Sequence, residues 1–449
     1  MMQTPICDFV NAYRKSEALR LHMPGHKGQA FIGPEPLDIT EIDGADVLYS
    51  AEGIIRQSEE NASELFGTGC TLYSAEGSSL CIRAMLYLAG LYARETCRRP
   101  LIAAARNAHK VFMTAAALLD IDIHWLYPQE AGSVVACRLD MEETERILRE
   151  EKPVALYVTS PDYLGNRADI RALSRLCHEN DALLIVDNAH GAYLKFLPAS
   201  RHPIDLGADL CCDSTHKTLP VLTGGAYLHL SAKAPKLLRE HAQNALSLFA
   251  STSPSYLILQ SLDQANCYLS DGYADKLADA TLMLARARAE LQQYGYDMPG
   301  DEPLKWTLAP KSIGWRGNEL AQMLQQKNIV VEFADPDFVV MMFTPEIAES
   351  DVRHVVKTLC SVPKKAAIDE QPPVLNRPVQ RMNAREALFS MQETIPVSRA
   401  AGRVLASASV TCPPAVPVVV CGEEMDESAV RCFQYYGIEN CTVVKEKDC

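Results

Sequence analysis

Long apolar runs are missing from this sequence, and their absence bears on the protein's location. Nowhere do about 18 uncharged apolar residues follow one another, the length that a membrane-spanning helix needs. The opening stretch, MMQTPICDFVNAYRKSEALRLH, lacks the apolar core of a secretory signal. The chain has 15 cysteines but no C-x-x-C pair, and their scatter over a long chain is typical of a reducing compartment. We therefore expect a cytoplasmic protein with no membrane partner.

Positive charge is also in short supply. Lys and Arg number 43 against 57 Asp and Glu, which gives a formal net charge of -14. A nucleic-acid backbone would on average be repelled, so we expect no nucleic-acid partner. A cationic small molecule would be attracted, although an acidic surface also serves solubility alone.

The sequence does contain a regular alternation of apolar runs and helical periodicity. Its 449 residues are too many for one core, so we expect two or three domains. Apolar runs typical of buried strands are LIAAA from Leu101, VALYV from Val154, ALLIV from Ala182 and AYLHL from Ala226. Helical stretches lie between them, among them GSSLCIRAMLYLAGLYARE and DIRALSRLCHEN, and the helix of the first stretch is expected to begin near Leu80. This order predicts an α/β fold with a mainly parallel sheet, in which ligands bind at the carboxyl ends of strands.

The most informative string is Asp213-Ser214-Thr215-His216-Lys217-Thr218, between the apolar run ADLCC and the glycines Gly224 and Gly225. A lysine at a strand end, close to hydroxyls and a histidine, is placed as a Schiff-base lysine beside a phosphate must be. Taken singly, a lysine is more often a solvated surface residue. Lys217 is nevertheless the candidate nucleophile.

Asp187 ends the apolar run LLIVD and leads into Asn188-Ala189-His190-Gly191. A buried aspartate in this place can keep a pyridine nitrogen protonated, the condition under which pyridoxal phosphate (PLP) acts as an electron sink. The alternative role is a cap for the next helix.

Two further strings complete a possible cofactor site. Ser74-Ala75-Glu76-Gly77-Ser78-Ser79 opens a helix, whose free N–H groups and dipole attract anions, although a plain serine cap is an equal alternative. No Walker loop occurs in the chain. Arg106-Asn107-Ala108-His109-Lys110 follows LIAAA and places an imidazole where it could stack on a ring, although a single histidine is more often structural. The four elements stand in the chain order expected of one cofactor site.

Together with other strings, these motifs make the chain resemble the Orn/Lys/Arg decarboxylase family of PLP enzymes with the aminotransferase-like fold type I. The resemblance covers nearly the whole chain. The other strings are Leu21–Gly28, Asp38–Glu41, Glu52–Ile55, Glu64–Gly67, Ser251–Tyr256, Asp301–Lys305 and Cys412–Pro417.

The resemblance implies a role for each site residue. Lys217 would carry PLP, Asp187 would bind its pyridine nitrogen, and His109 would stack on its ring. Lys217, His216 and His109 would be the catalytic residues. The cofactor-binding residues would also include His190, Gly77, Ser78, Ser79, Ser214 and His216, with Ser251 and Thr252 supplied across a dimer. No metal is expected, since His22 and His26 flank Pro24-Gly25 and no third ligand is evident.

The resemblance also implies domains and an assembly. We expect an N-terminal arm (1–60), a large PLP-binding domain (61–280), a small α/β domain (281–362), a linker (363–380) and a C-terminal α+β decarboxylase domain (381–449). The chain resembles short bacterial arginine decarboxylases that lack a receiver-like N-terminal domain, so we expect a homodimer or a dimer of dimers with shared active sites. It departs from the family at Asn188, where glutamate is common, and at Ala415, where glycine is common.

The implied reaction is decarboxylation of a basic amino acid, with arginine favoured over lysine or ornithine. Candidates for binding the distal cation of the substrate are Glu41, Asp43 and Asp46. The sequence does not choose among these three residues. An aminotransferase or lyase of the same fold is the alternative, in which Arg316 would hold the substrate carboxylate. A non-catalytic PLP-binding regulator is more remote. A serine hydrolase based on Ser214-x-x-Lys217 would need S-D-N and K-T-G strings, which the chain lacks.

Overall fold

The structure, a computed structural model, describes residues 2–128, 138–408 and 418–446. Its helices are α1 (Pro5–Lys15), α2 (Ile54–Phe66), α3 (Gly77–Glu95), α4 (Lys110–Leu119), α5 (Met141–Glu150), α6 (Ile170–Glu179), α7 (Pro203–Leu206), α8 (Thr215–Thr218), α9 (Lys236–Ser247), α10 (Tyr256–Leu269), α11 (Tyr273–Tyr294), α12 (Gly317–Gln325), α13 (Glu349–Leu359), α14 (Ala384–Phe389) and α15 (Glu427–Tyr435). Within the described ranges, no helix has the length and apolar character needed to cross a membrane.

The strands of the described ranges form three sheets. They are β1 (Cys70–Ser74), β2 (Leu101–Ala105), β3 (Asp122–Leu126), β4 (Ala155–Thr159), β5 (Leu183–Asp187), β6 (Leu210–Asp213), β7 (Ala226–Leu230), β8 (Lys305–Leu308), β9 (Phe333–Ala334), β10 (Val339–Met342), β11 (Gln392–Pro396) and β12 (Asn440–Val444). The seven-stranded sheet has the order β1-β7-β6-β5-β4-β2-β3. The predicted α/β fold with a mostly parallel sheet is confirmed, and β7 is the exception because it runs antiparallel to both β1 and β6.

The strands of the large sheet coincide with the apolar runs of the sequence. All residues of β2, β5 and β7 are buried, as expected of strands covered on both faces. Parallel pairing of β5 with β6 brings Asp187 opposite Cys212, at the carboxyl end of both strands. The site residues after β5 and β6 therefore begin from one edge of the sheet.

The chain divides into two compact units. The first comprises Met1–Pro100, Val154–Leu156 and Ile170–Lys276, and the second comprises Leu101–Pro153, Tyr157–Asp169 and Leu277–Cys449. The second unit contains the antiparallel sheets β8-β10-β9 and β11-β12. An apolar cluster that includes Leu405, Phe433 and the β12 residue Val443 forms a buried core in this unit. The domain limits given above stay a prediction.

Helix α3 spans the whole of the predicted helical stretch GSSLCIRAMLYLAGLYARE. It therefore begins at Gly77, earlier than the start expected near Leu80. Gly77 has a φ of +71°, which a residue with a side chain rarely adopts, and its N–H donates to Gly224 O over 2.7 Å. This turn places Ser78 and Ser79 inside the first helical turn, so neither serine is the residue that precedes the helix.

Glu59 on α2 is a buried carboxyl group that should make stability depend on pH. Its Oε1 accepts the N–H of Tyr73 over 2.9 Å, and its Oε2 has no hydrogen-bond partner in the described part of the chain. Burial raises the pKa of Glu59 from 4.5 to about 8. The folded state therefore binds more protons than the unfolded state between these values, and stability falls as pH rises through them. We expect Glu59→Gln, which keeps an acceptor for Tyr73, to be more stable than the wild type above about pH 8 by a few kcal/mol.

The control for this prediction is Glu60→Gln, one residue away. Glu60 is exposed and pairs with Arg56 over 2.9 Å, so its loss should change stability by less than about 1 kcal/mol at any pH. Thermal unfolding at about pH 5 and about pH 9 measures both effects. An equal loss of stability between these pH values in the wild type and in Glu59→Gln would show that Glu59 does not titrate as described.

Candidate active site

Lys217 and His190 meet beyond the ends of two neighbouring parallel strands. Lys217 lies in α8, directly after β6, and its backbone N–H donates to Ser214 O over 2.9 Å. Its Nζ lies 3.0 Å from Nε2 of His190, which follows β5 and is 5% exposed. A lysine ammonium can only donate, so Nε2 of His190 is the acceptor while Lys217 is charged. The contact gives the lysine a partner that can receive its proton.

Asp187 is the last residue of β5 and is 2% exposed. Its Oδ1 accepts the N–H of Ala189 over 3.2 Å and lies 3.6 Å from Sγ of Cys212. A buried carboxylate at the carboxyl end of a strand is suited to hold a positive charge on a bound ligand.

The turn before α3 forms a small cradle. A Cβ added to Gly77 would meet nothing within 4 Å, so there is open space at this helix start. The hydroxyl of Ser214 donates to Oγ of Ser78 over 2.7 Å, which joins the loop after β6 to the first turn of α3. Ser79 is half-buried in the same turn. Two hydroxyls and the N-terminus of a helix make this place fit for a phosphate.

His216 contacts the glycine loop that precedes β7. Its Nδ1 lies 2.9 Å from Gly225 O, and the hydroxyl of Thr215 donates to the same oxygen over 2.7 Å. Because a carbonyl only accepts, Nδ1 of His216 carries the proton, and Nε2 is the nitrogen left to accept one in the neutral ring.

Ser251 and Thr252 are exposed in the loop after α9. The N–H of Ser251 donates to Oε1 of Glu76 over 2.6 Å, and its Oγ accepts the N–H of Ser253 over 3.1 Å. Their predicted contribution to a neighbouring subunit's site stays a prediction.

His109 lies in the second unit, where it precedes α4 as the N-cap residue. Its Nδ1 accepts the N–H of Val111 over 3.2 Å. This hydrogen bond fixes the ring against the helix start and puts the proton of the neutral imidazole on Nε2. The stacking role of His109 stays a prediction that rests on the resemblance.

Asp46, a candidate for the distal substrate cation, is committed to the backbone. Its carboxylate accepts N–H groups of Val47, Glu52, Gly53, Ile55 and Arg56. Burial alone would raise the pKa of Asp46, but these hydrogen bonds outweigh it and lower the pKa. Asp46 therefore holds the start of α2, and this role explains its position without a substrate.

A buried network around Asp213 was not foreseen from the sequence. Oδ2 of Asp213 lies 3.1 Å from Nε2 of His202 and 3.2 Å from Nε2 of His229, and all three side chains are 0% exposed. Asn188 donates to Oδ1 of Asp213 over 2.7 Å. Burial alone would raise the pKa of Asp213, but the two histidines lower it well below 3.8. Asn188 thus serves as a neutral donor to the charged carboxylate of Asp213. A glutamate at position 188 would repel that carboxylate.

Ligand atoms of His202, Cys211 and Asp213 lie within 4.8 Å of one another, close enough to be considered for a metal. The hydrogen bonds between Asp213 and its two histidines account for the cluster, and burial raises the pKa of the Cys211 thiol well above 9.0. The expectation that no metal binds stays a prediction.

The residues of the first unit fit PLP. The cradle at Gly77 has room for a phosphate, Lys217 can form a covalent bond to an aldehyde, and Asp187 can hold a protonated ring nitrogen. Comparison with known proteins then identifies the protein family. The sequence profile of the Orn/Lys/Arg decarboxylase major domain matches residues 4–299, and that of the family's C-terminal domain matches residues 367–441. The chain belongs to the Orn/Lys/Arg decarboxylase family.

Curated relatives align with the chain over almost its full length. An arginine decarboxylase of Bacillus subtilis is 29% identical over 95% of this chain and 92% of its own length. An arginine decarboxylase of Halalkalibacterium halodurans is also 29% identical over 95% of this chain and 92% of its own length. These matches and the family profiles confirm the predicted family, and with it the prediction that the chain is an amino-acid decarboxylase.

Solved structures show the same fold. Lysine decarboxylase A of Pseudomonas aeruginosa superposes with a TM-score of 0.79 at 18% identity, covering 97% of this chain and 76% of that one. The constitutive lysine decarboxylase of E. coli superposes with a TM-score of 0.77 at 17% identity, covering 99% and 82%. The late proline motif with Ala415 lies outside the described residues.

Proposed function

We propose that this member of the Orn/Lys/Arg decarboxylase family is a PLP-dependent decarboxylase of a basic L-amino acid, with arginine favoured over lysine or ornithine. The products would be carbon dioxide and the polyamine-type amine. The supporting observation is the pair formed by Lys217 Nζ and His190 Nε2, 3.0 Å apart, beyond the strand that ends in the buried Asp187. The preference for arginine rests on the names of relatives that are 29% identical.

Three groups of the first unit would hold the cofactor. When bound, PLP draws in the electrons of the bond that breaks at the substrate's α-carbon. The carboxylate of Asp187 would hold a proton on the ring nitrogen, which maintains that pull. The hydroxyls of Ser78 and Ser214 would donate to the phosphate at the start of α3, where the helix dipole favours negative charge.

Protons would pass between Lys217 and its neighbour His190. Lys217 must lose its ammonium proton before its Nζ can form a covalent bond, and Nε2 of His190 lies within reach of that proton. After carbon dioxide leaves, the same lysine would return a proton to the α-carbon. His216, whose Nδ1 donates to Gly225 O, would be the second acid on this segment once its Nε2 carries a proton.

An aminotransferase would use Arg316 to hold the substrate carboxylate. Arg316 precedes α12, and its guanidinium forms an ion pair with the carboxylate of Glu370. A substrate carboxylate would have to displace Glu370 from this pair before Arg316 could hold it. We further propose a cytoplasmic homodimer or dimer of dimers with shared sites.

The proposed function predicts a specific set of products. We expect the purified, PLP-loaded protein to release carbon dioxide from L-arginine and form agmatine, with slower or no release from L-lysine and L-ornithine. Carbon dioxide and amine formation are measured separately for each substrate. Faster formation of cadaverine or putrescine would correct the substrate, whereas a keto acid without carbon dioxide would replace the decarboxylase with an aminotransferase.

A further inference from the structure

The ring of His109 is placed by the helix that it caps. Because Nδ1 accepts the N–H of Val111, the imidazole moves with the first turn of α4. The position of the imidazole therefore depends on the three residues before His109 and on the contacts at the two ends of α4. Residues of the second unit make the contacts in both places.

Arg106, three residues before His109, is fixed by a buried carboxylate far away in sequence. Its Nη1 donates to Oε1 of Glu423 over 2.8 Å and its Nη2 to Oε2 over 2.6 Å. The side chain of Arg106 is 0% exposed and that of Glu423 is 2% exposed. The guanidinium carbon also lies 5.2 Å from the ring centroid of Trp125 and 5.3 Å from that of Tyr127. A bidentate ion pair next to two aromatic rings permits little movement of the arginine.

Glu423 is itself rigidly held. Its Oε2 accepts the N–H of Val420 over 2.8 Å, and its backbone carbonyl accepts the N–H of Leu405 over 2.8 Å. The preceding Gly422 has a φ of +91°, and a Cβ there would come within 2.2 Å of Met382 O. The carboxylate thus belongs to a tightly packed turn.

The other end of α4 is held by Arg385. Its Nη1 donates to Ala117 O over 2.9 Å and to Leu118 O over 3.2 Å, which satisfies two of the last carbonyls of the helix. Arg385 lies in α14, whose start is fixed by a capping box between Asn383 and Glu386. Residues matched by the family's C-terminal domain thus hold α4 at one end and the loop before His109 at the other.

We propose that Glu423 is a positioning residue for His109, acting through Arg106, with Arg385 supporting the far end of α4. The inference rests on the proposed function, together with the stacking of His109 on the cofactor ring that the family resemblance implies. It assigns the C-terminal domain a part in catalysis: it fixes the orientation of an imidazole that it does not carry. Small displacements of such a group lower the rate strongly, whereas they change substrate binding less.

The test compares two adjacent glutamates. Glu423→Gln keeps the shape but leaves the buried guanidinium without its counter-charge, whereas Glu424→Gln removes only the partner of the more exposed Arg381, 2.5 Å away. For Glu423→Gln we expect kcat to fall about 10- to 100-fold, with KM changed less than about threefold, and the visible circular dichroism of bound PLP to decrease. Backbone amide hydrogen exchange in residues 106–112 should accelerate. Glu424→Gln should match the wild type in all of these.

A double-mutant cycle decides whether Glu423 acts through His109. If it does, adding Glu423→Gln to His109→Ala lowers kcat no further, whereas independent effects multiply. Arg385→Ala, a milder change on a half-exposed side chain, serves if Glu423→Gln does not fold, and should give a smaller loss in the same direction. Unchanged hydrogen exchange in residues 106–112, or multiplied effects on kcat, would overturn the proposal. A wild type that binds no PLP would instead overturn the proposed function, while hydrogen exchange would still report on the Glu423 contact.

Discussion

Replacement of Lys217 by alanine is expected to remove decarboxylase activity by roughly 10³-fold or more, because no other side chain on α8 can form the covalent bond to the cofactor. The absorption band of the lysine-bound cofactor should disappear with it. The effect should be on chemistry, since the phosphate cradle proposed at Ser78 and Ser214 contains no part of the lysine. Carbon dioxide release and the visible spectrum after addition of PLP measure the two consequences.

Lys233→Ala is the matched control, since Lys233 is an exposed lysine of the same unit. It should keep both the activity and the absorption band. Retention of the band by Lys217→Ala would mean that another amine carries the cofactor and that the assignment of Lys217 is wrong.

Apolar runs and helical periodicity in the sequence predicted individual strands and helices of the fold. The run LIAAA coincides with β2, and the stretch GSSLCIRAMLYLAGLYARE coincides with α3 from its first residue to its last. The start expected near Leu80 was too late, because Gly77 also belongs to the helix and donates its N–H to Gly224 O in a loop far away in sequence. A propensity argument cannot detect such a contact.

In the candidate site, too, some residues could be predicted from the neighbouring sequence and others could not. Lys217, Asp187, Ser78 and Ser214 could be named from strings of neighbouring residues that end strands or open a helix. Glu423 could not, because it is 317 residues from Arg106, and nothing in its own neighbourhood suggests a buried ion pair. His202 and His229 are likewise single histidines in unremarkable surroundings. Their role appears only when the sheet brings them to Asp213.

That carboxylate is the basis of a second large effect, on stability. Asp213 is fully buried between two histidines, with Asn188 on its other oxygen. Because breaking a buried pair leaves uncompensated polar groups behind, Asp213→Asn is expected to cost roughly 3–5 kcal/mol at neutral pH. Asp205→Asn, which breaks a more exposed pair with Lys195, should cost less than about 1 kcal/mol.

The pH dependence gives the sign of the Asp213 contribution. Burial alone would raise its pKa, yet the histidines hold it well below the unfolded value of 3.8, so the contribution is present above that value and is lost as pH falls below it. Burial also lowers the pKa of His229 from 6.5, which adds to the loss of stability in acid. Thermal unfolding of the wild type should therefore worsen steeply below about pH 4, and Asp213→Asn should start lower and fall less over that range. Parallel curves for the two proteins would mean that Asp213 is neutral in the folded state, and that the network is held by hydrogen bonds without an ionic component.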